Sequence, residues 1–191
     1  MQPGPGDHVV DVGACLGNTA LAFATAITDT GHVYAFDPIG SHIEIIRHNL
    51  AQNPRLENRI TVFPYALGRH GNNLPGPLPM VDIADPGFTL NQSEAIDRIP
   101  IRTIDDLVES GDLKRVDFIK MDIEGFETEA LRGAENSIRK YKPRLAICIY
   151  HKFSDLFEIP LLINRLNPGY KFYIAHYTIH TEETVLYATM E

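Results

Sequence analysis

Short apolar runs alternating with longer helical patterns constrain this chain more than anything else in its sequence. "HVVDV" (8–12) reads as a buried strand, followed by a helix from about Asn18 to Thr28. "HVYAFD" (32–37) is a second strand, "SHIEIIRHNLAQN" (41–53) a helix with Ser41 as its N-cap, and "RITVFPYAL" (59–67) a third strand. "GNNLPGPLP" (71–79) is too rich in proline for regular structure. Beyond it, "DRIPIRTIDDLVESG" (97–111) gives a short strand and a helix, and "VDFIKMD" (116–122) a fourth core strand. "FETEALRGAENSIRKY" (126–141) reads as one amphipathic helix, "RLAICIY" (144–150) as a fifth strand, and 154–166 as a helix that Pro160 starts or interrupts. "KFYIAHY" (171–177) and "ETVLYAT" (183–189) close the chain as an antiparallel hairpin. The pattern predicts an α/β doubly wound sheet of about seven strands, mostly parallel, in a single domain over 1–191.

The turn after the first strand, "VVDVGACLGNTA" (9–20), carries Gly13 and Gly17. Glycine there permits positive φ and close backbone approach, and the amides opening the next helix attract a negative group. The dinucleotide fingerprint would need glycine at positions 15 and 18, which are Cys15 and Asn18. A pyrophosphate cradle is therefore incomplete, whereas S-adenosylmethionine has no pyrophosphate to lose. Asp11, at the end of the first strand, is placed to meet a cofactor ammonium directly or through water. Asp37 ends the second strand 20 residues beyond Gly17, where an acid reaches ribose hydroxyls. Either cofactor class would use that acid, so Asp37 argues for a ribose without choosing between them.

The charge balance narrows the partners. A formal net charge of -8 opposes non-specific nucleic-acid binding, which needs a basic face. The start "MQPGPGDH" has neither a basic region nor an apolar core, and no apolar run approaches the ~20 residues of a membrane span. Cys15 and Cys148 fit no disulfide framework and no zinc spacing. These readings together predict a cytoplasmic protein with free thiols, no membrane contact and no nucleic-acid partner.

"FIKMDIEGFE" (118–127) departs from the apolar run expected of a central parallel strand. Strand alternation places Phe118, Lys120, Asp122 and Glu124 on one side. Burying Lys120 requires a partner, and Asp122 is the natural one by spacing. Ligands of open α/β sheets bind at the carboxyl ends of strands, where Asp122 and Glu124 fall. His151 takes the equivalent place after the fifth strand. Asp122, Glu124 and His151 are also a donor set for a divalent metal, with Mn, Fe or Zn better suited than Mg. His176 and His180 are four apart in the closing hairpin, a spacing better explained by ordinary edge-strand histidines than by a metal pair.

Taken together, "DVGACLG" (11–17), "AFDP" (35–38), "TIDDL" (103–107), "IKMDIEGFE" (119–127), "LRGA" (131–134), "KPRLAICIYH" (142–151) and "DLFEIP" (155–160) resemble the FkbM family of S-adenosylmethionine-dependent methyltransferases. The likeness runs through nearly the whole chain in order, with Cys15 standing where Asn is common. It implies the Rossmann-like class I methyltransferase fold and transfer of a sulfonium methyl to a hydroxyl of a sugar or natural-product acceptor. It further implies cofactor contacts from Asp11, Gly13, Ala14, Gly17, Asn18, Asp37 and Pro38. Asp122 is then the first candidate for base or metal ligand and His151 the second. Lys120 orients Asp122 or steadies the developing alkoxide, Glu124 completes the catalytic set, and 71–93 is a lid or the loop that selects the acceptor. Two other readings share the fold: a non-catalytic binding or regulatory module, and an NAD-binding oxidoreductase. The absent glycines and the terminal hairpin oppose the second.

Overall fold

β1 (His8–Val12) is buried from its second residue onward because it lies between two parallel neighbours and under helices on both faces. The computed structural model describes residues 1–70, 100–179 and 182–190. From β1 the chain turns into α1 (Asn18–Ala26), then β2 (His32–Phe36), α2 (Gly40–Ala51), α3 (Pro54–Glu57) and β3 (Ile60–Phe63). Two short strands, β4 (Ala66–Leu67) and β5 (Ile101–Arg102), precede α4 (Ile104–Glu109) and β6 (Phe118–Met121). α5 (Glu127–Arg132), α6 (Glu135–Tyr141), β7 (Arg144–Cys148), α7 (Asp155–Leu166), β8 (Lys171–His176) and β9 (Thr184–Thr189) complete it.

Seven strands form one sheet in the order β3-β2-β1-β6-β7-β9-β8. The first five are parallel, and β9 runs antiparallel between β7 and β8. This is the expected α/β doubly wound fold with a reversed C-terminal strand. The order reverses direction between β1 and β6, the place where such sheets open a crevice at their carboxyl edge. One face of the sheet, through Val9, Phe118 and Ala146, packs on α1 and α2. The small residues Ala20 and Ala24 let α1 approach closely. The other face, through Val10, Ile119 and Ile147, packs on α4 to α7. Among the described residues no helix is long and apolar enough to cross a membrane.

Local chemistry moved several expected boundaries. The run 59–67 is not one strand: β3 stops before Pro64, and β4 pairs instead with β5 in a separate two-stranded sheet. α3 was not foreseen. α2 begins at Gly40 rather than being capped by Ser41, because the Asp37 carboxylate already takes the Ile39 N–H at 2.9 Å and the His42 ring at 3.1 Å. Pro160 lies inside α7 without ending it. The carbonyl that it leaves unpaired belongs to Leu156, on the exposed side. The segment 71–93 lies outside the described residues, as does His180.

The predicted helix 126–141 is two helices divided at Gly133. Asp105, from α4, caps the second one by accepting the Asn136 and Ser137 N–H groups at 2.9 and 2.8 Å. At the break, backbone meets backbone: a Cβ on Gly133 would stand 1.9 Å from the Gly68 carbonyl oxygen. Gly133→Ala should therefore lower stability by about 1–3 kcal/mol through overpacking. Gly40→Ala, which would meet nothing within 4 Å, should leave it unchanged or slightly raised. Urea unfolding of the two variants checks this directly.

A candidate active site at the carboxyl edge of the sheet

The turn after β1 is held by its own backbone and by β2. Gly13 and Ala14 both donate to the Phe36 carbonyl at 3.0 Å, Gly17 donates to Ala14 at 2.7 Å, and Cys15 donates to Asp37 Oδ2 at 2.9 Å. Gly13 has φ 79°, and a Cβ there would lie 1.9 Å from the Asp122 carbonyl oxygen. The space that its missing side chain leaves is thus filled by the end of β6, which the turn rides against. Gly17, at φ 84°, is the N-cap of α1, and Asn18 is that helix's first residue. Asp37 is buried and accepts from Cys15, Ile39 and His42, so it ties the turn to the start of α2.

Lys120 does not pair with Asp122 as the spacing suggested. Its ammonium donates to the Gly13 carbonyl at 2.8 Å and stands 3.4 Å from Asp11 Oδ1. The reason is register: Asp11 and Lys120 are direct partners across β1 and β6, on the same face. Asp11 is 0% exposed and also accepts from the Thr19 hydroxyl at 2.7 Å. Its carboxylate is enclosed by protein donors, so any influence on a ligand passes through the turn. Burial alone would pull the Lys120 ammonium down, but the Asp11 and Asp122 carboxylates outweigh it and hold it above its ordinary value.

Beyond Met121 the strand alternation ends, and Glu124 sits in the left-handed region at φ 56°. This departure costs about 1–3 kcal/mol and recurs at functional sites. It turns the Glu124 carboxylate toward His151, whose Nε2 lies 3.5 Å from Glu124 Oε2 and 3.5 Å from Asp122 Oδ1. The expected trio is therefore brought together. A fourth member, Glu127, was not anticipated. It is 0% exposed, accepts the Ile123 N–H at 2.9 Å and places Oε1 3.0 Å from His151 Nδ1. Asp122, Glu127 and His151 can each offer a donor atom within 4.8 Å of the others. Tyr150 was also missed; its hydroxyl donates to Asp122 Oδ1 at 3.0 Å.

Electrostatics in this cluster follow from burial and crowded carboxylates. Burial pulls the His151 imidazole down, but Glu127, then Glu124 and Asp122, raise it above its ordinary value overall. Burial and the neighbouring Asp122 push the Tyr150 hydroxyl far up, which keeps it a donor. The same two causes raise the Cys148 thiol, and burial with Asp37 raises that of Cys15. Both thiols are free. His176, by contrast, meets Thr184 Oγ1 at 2.9 Å on the far edge strand.

Beside the cluster lies a cavity of about 330 Å³. Its walls include Gly13 after β1, Phe36 and Pro38 after β2, and Ile123 and Phe126 after β6. That size is within the range of small-molecule sites, on the order of 300–1,000 Å³. An apolar cavity at the carboxyl ends of β1 and β2 thus lies next to a polar side-chain cluster at those of β6 and β7.

Similarity to known proteins bears on this arrangement. Residues 11–172 match the sequence profile described as the Methyltransferase FkbM domain. The hexuronic acid methyltransferase AglP of Haloferax volcanii is 28% identical over 133 residues, 70% of this chain and 52% of AglP. The crystal structure of methyltransferase FkbM from Methylobacillus flagellatus superposes with TM-score 0.79 at 27% identity, covering 98% of this chain and 44% of that one. The chain thus spans about half the length of these relatives. The fibrillarin of Aeropyrum pernix, solved with S-adenosyl-L-methionine, shares the fold at TM-score 0.57 and 12% identity, over 97% of this chain and 67% of its own.

Removing Lys120 would strand a fully enclosed carboxylate. Lys120→Met should cost about 3–5 kcal/mol, the range for breaking one partner of a buried pair. Adding Asp11→Asn should recover part of that loss, since the stranded charge goes with it. A double-mutant cycle by chemical unfolding gives both numbers.

Proposed function

Because this chain belongs to the FkbM methyltransferase domain family, we propose that it transfers the methyl of S-adenosylmethionine to a hydroxyl of a sugar or natural-product acceptor. The observation that supports this most strongly is an apolar cavity lying next to an acid–imidazole cluster along one sheet edge. The apolar cavity bounded by Gly13, Phe36 and Pro38 suits the nucleoside and sulfonium part of the cofactor. The cluster of Asp122, Glu124 and His151 stands where the acceptor would approach. The match to a hexuronic acid methyltransferase supports oxygen of a sugar as the acceptor atom.

Methyl transfer is an in-line displacement: the acceptor oxygen attacks the methyl carbon as the carbon–sulfur bond breaks. Alignment therefore supplies much of the rate. The turn residues Gly13, Ala14, Gly17 and Asn18, with Asp37 and Pro38, position the cofactor in this reading, and Asp11 fixes the turn from beneath. A sugar hydroxyl is a poor nucleophile until its proton is drawn away, which is the task of Asp122 and His151. Lys120, committed to Asp11 and Gly13, joins the cofactor turn to the strand that leads into Asp122 rather than facing the acceptor.

S-adenosylhomocysteine should bind with micromolar affinity in a calorimetric titration, and NAD should not bind. Asp122→Asn should lower methyl transfer to a hexuronic acid by roughly 100-fold or more while leaving S-adenosylhomocysteine affinity within about twofold. Unchanged turnover would remove Asp122 from the mechanism. Binding of the cofactor product with no transfer to any hydroxyl acceptor would favour a non-catalytic module.

A further inference from the structure

We infer that the tyrosines of β8, β9 and the end of β7, on the α1 and α2 side of the sheet, form a platform that holds the acceptor, and that this acceptor is a saccharide. What the platform delivers to the cofactor rests on the methyl-transfer reading; the binding of the saccharide does not. Register puts the rings on one side. Ala146, which belongs to the core on the α1 and α2 side, stands opposite Tyr187, and Tyr187 stands opposite Tyr173. Tyr150, four residues past Ala146, packs against the same core, as strand alternation requires. Tyr177 follows β8 and brings its hydroxyl to 2.8 Å from that of Tyr187.

Exposure and chemistry set this face apart. Tyr173 is 54% exposed and Tyr177 61% exposed. An edge strand ordinarily turns charge toward solvent, which guards its rim against pairing with other chains. Beyond Lys171 this side of β8 carries phenol rings instead, each an apolar plate with a hydroxyl at its tip. A sugar has matching parts: a C–H face that lies on an aromatic plate, and hydroxyls that meet its rim. In the Tyr177–Tyr187 pair one hydroxyl donates to the other, and among the described residues the second proton has no acceptor. That proton is available to a ligand oxygen. Burial and the neighbouring Tyr177 hold the Tyr187 hydroxyl far above its ordinary value, so it stays a donor.

The platform is continuous with the acid–imidazole cluster. β8 runs in the direction of β7, since each is antiparallel to β9, so Tyr177 reaches the same carboxyl edge as Tyr150. The Tyr177 N–H donates to the Glu183 carbonyl at 3.2 Å and the Ile149 N–H to the Thr184 carbonyl at 2.9 Å. Tyr150 and Tyr177 therefore lie near one cross-strand row, two strand spacings or about 10 Å apart. Tyr150 gives its hydroxyl to Asp122 Oδ1 at 3.0 Å, and its ring centre is 4.0 Å from that of His151. A saccharide lying from Tyr177 to Tyr150 presents a hydroxyl to Asp122 and His151. A second copy of the chain fits less well. Two half-exposed tyrosines offer on the order of 200–300 Å², well short of the roughly 800 Å² per partner of a stable interface.

The test is a ligand-observed NMR titration of the full chain with maltose and with digalacturonic acid, with caffeic acid as a flat aromatic control. At least one disaccharide should bind saturably, and caffeic acid should not. Tyr173→Ala and Tyr177→Ala should each weaken that binding by about three- to tenfold, the loss of one stacked ring. Tyr187→Phe, which keeps the ring and removes the hydroxyl, should weaken it by about two- to tenfold. Ile174→Ser, on the opposite face of β8, should leave it unchanged. Tyr173 and Tyr177 are exposed, so their variants keep the test sound if Tyr187→Phe fails to fold. Binding of neither disaccharide, binding that both alanine variants leave unchanged, or caffeic acid binding in place of the sugars overturns the inference. So does a dimer in sedimentation that Tyr173→Glu dissociates. Saccharide binding without S-adenosylhomocysteine binding would instead count against the methyl-transfer reading alone.

Discussion

The contact between Lys120 and the Asp11–Gly13 edge organises the middle of this molecule. It crosses from β6 to β1 at the point where the sheet reverses its order, so it joins the two halves of the fold. One ammonium neutralises the enclosed Asp11 and fixes the carbonyl of the residue that begins the glycine turn. The turn is thereby pressed on the end of β6, with the Asp122 carbonyl filling the space beside Gly13. A buried ion pair is weak as a source of stability, but its geometry is demanding. Here that geometry sets the separation between the apolar chamber and the acid–imidazole cluster.

The sheet was legible because its central strands are covered on both faces and therefore read as nearly unbroken apolar runs. "HVVDV", "HVYAF" and "RLAIC" needed no tertiary information. What was not legible depended on partners distant in sequence. The helix 126–141 keeps its apolar period through Gly133, and only Asp105, brought from α4, shows why it restarts. Pro64 was visible, but its effect on 59–67 follows from β5 offering β4 a different neighbour.

The candidate site shows the same division. Asp122, Glu124 and His151 are polar residues that end core strands, and both acids come to 3.5 Å of the His151 ring. Lys120 was assigned the wrong partner because two residues along one strand seemed nearer than a residue in another strand. Register places Asp11 directly opposite. Glu127 stands in the sequence only as the second residue of the predicted helix 126–141. Its signal was the second acid of "IEGFE", one helical turn beyond Ile123, whose N–H it accepts. Tyr150 offered no signal beyond sitting next to His151.

The small sheet of β4 and β5 has a consequence for how such a chain can diversify. The two strands are parallel neighbours, with Ala66 opposite Ile101 and Leu67 opposite Arg102. Whatever lies between is anchored at both ends on a platform that takes no hydrogen bonds from the seven-stranded sheet. For any chain that joins two fixed points, doubling the length adds only about 0.6 kcal/mol of closure cost. Insertions and deletions there leave the register of β1 and β6, and so the spacing of the chemistry, untouched. The fold thus separates the part of the chain that is free to vary from the part that must stay fixed.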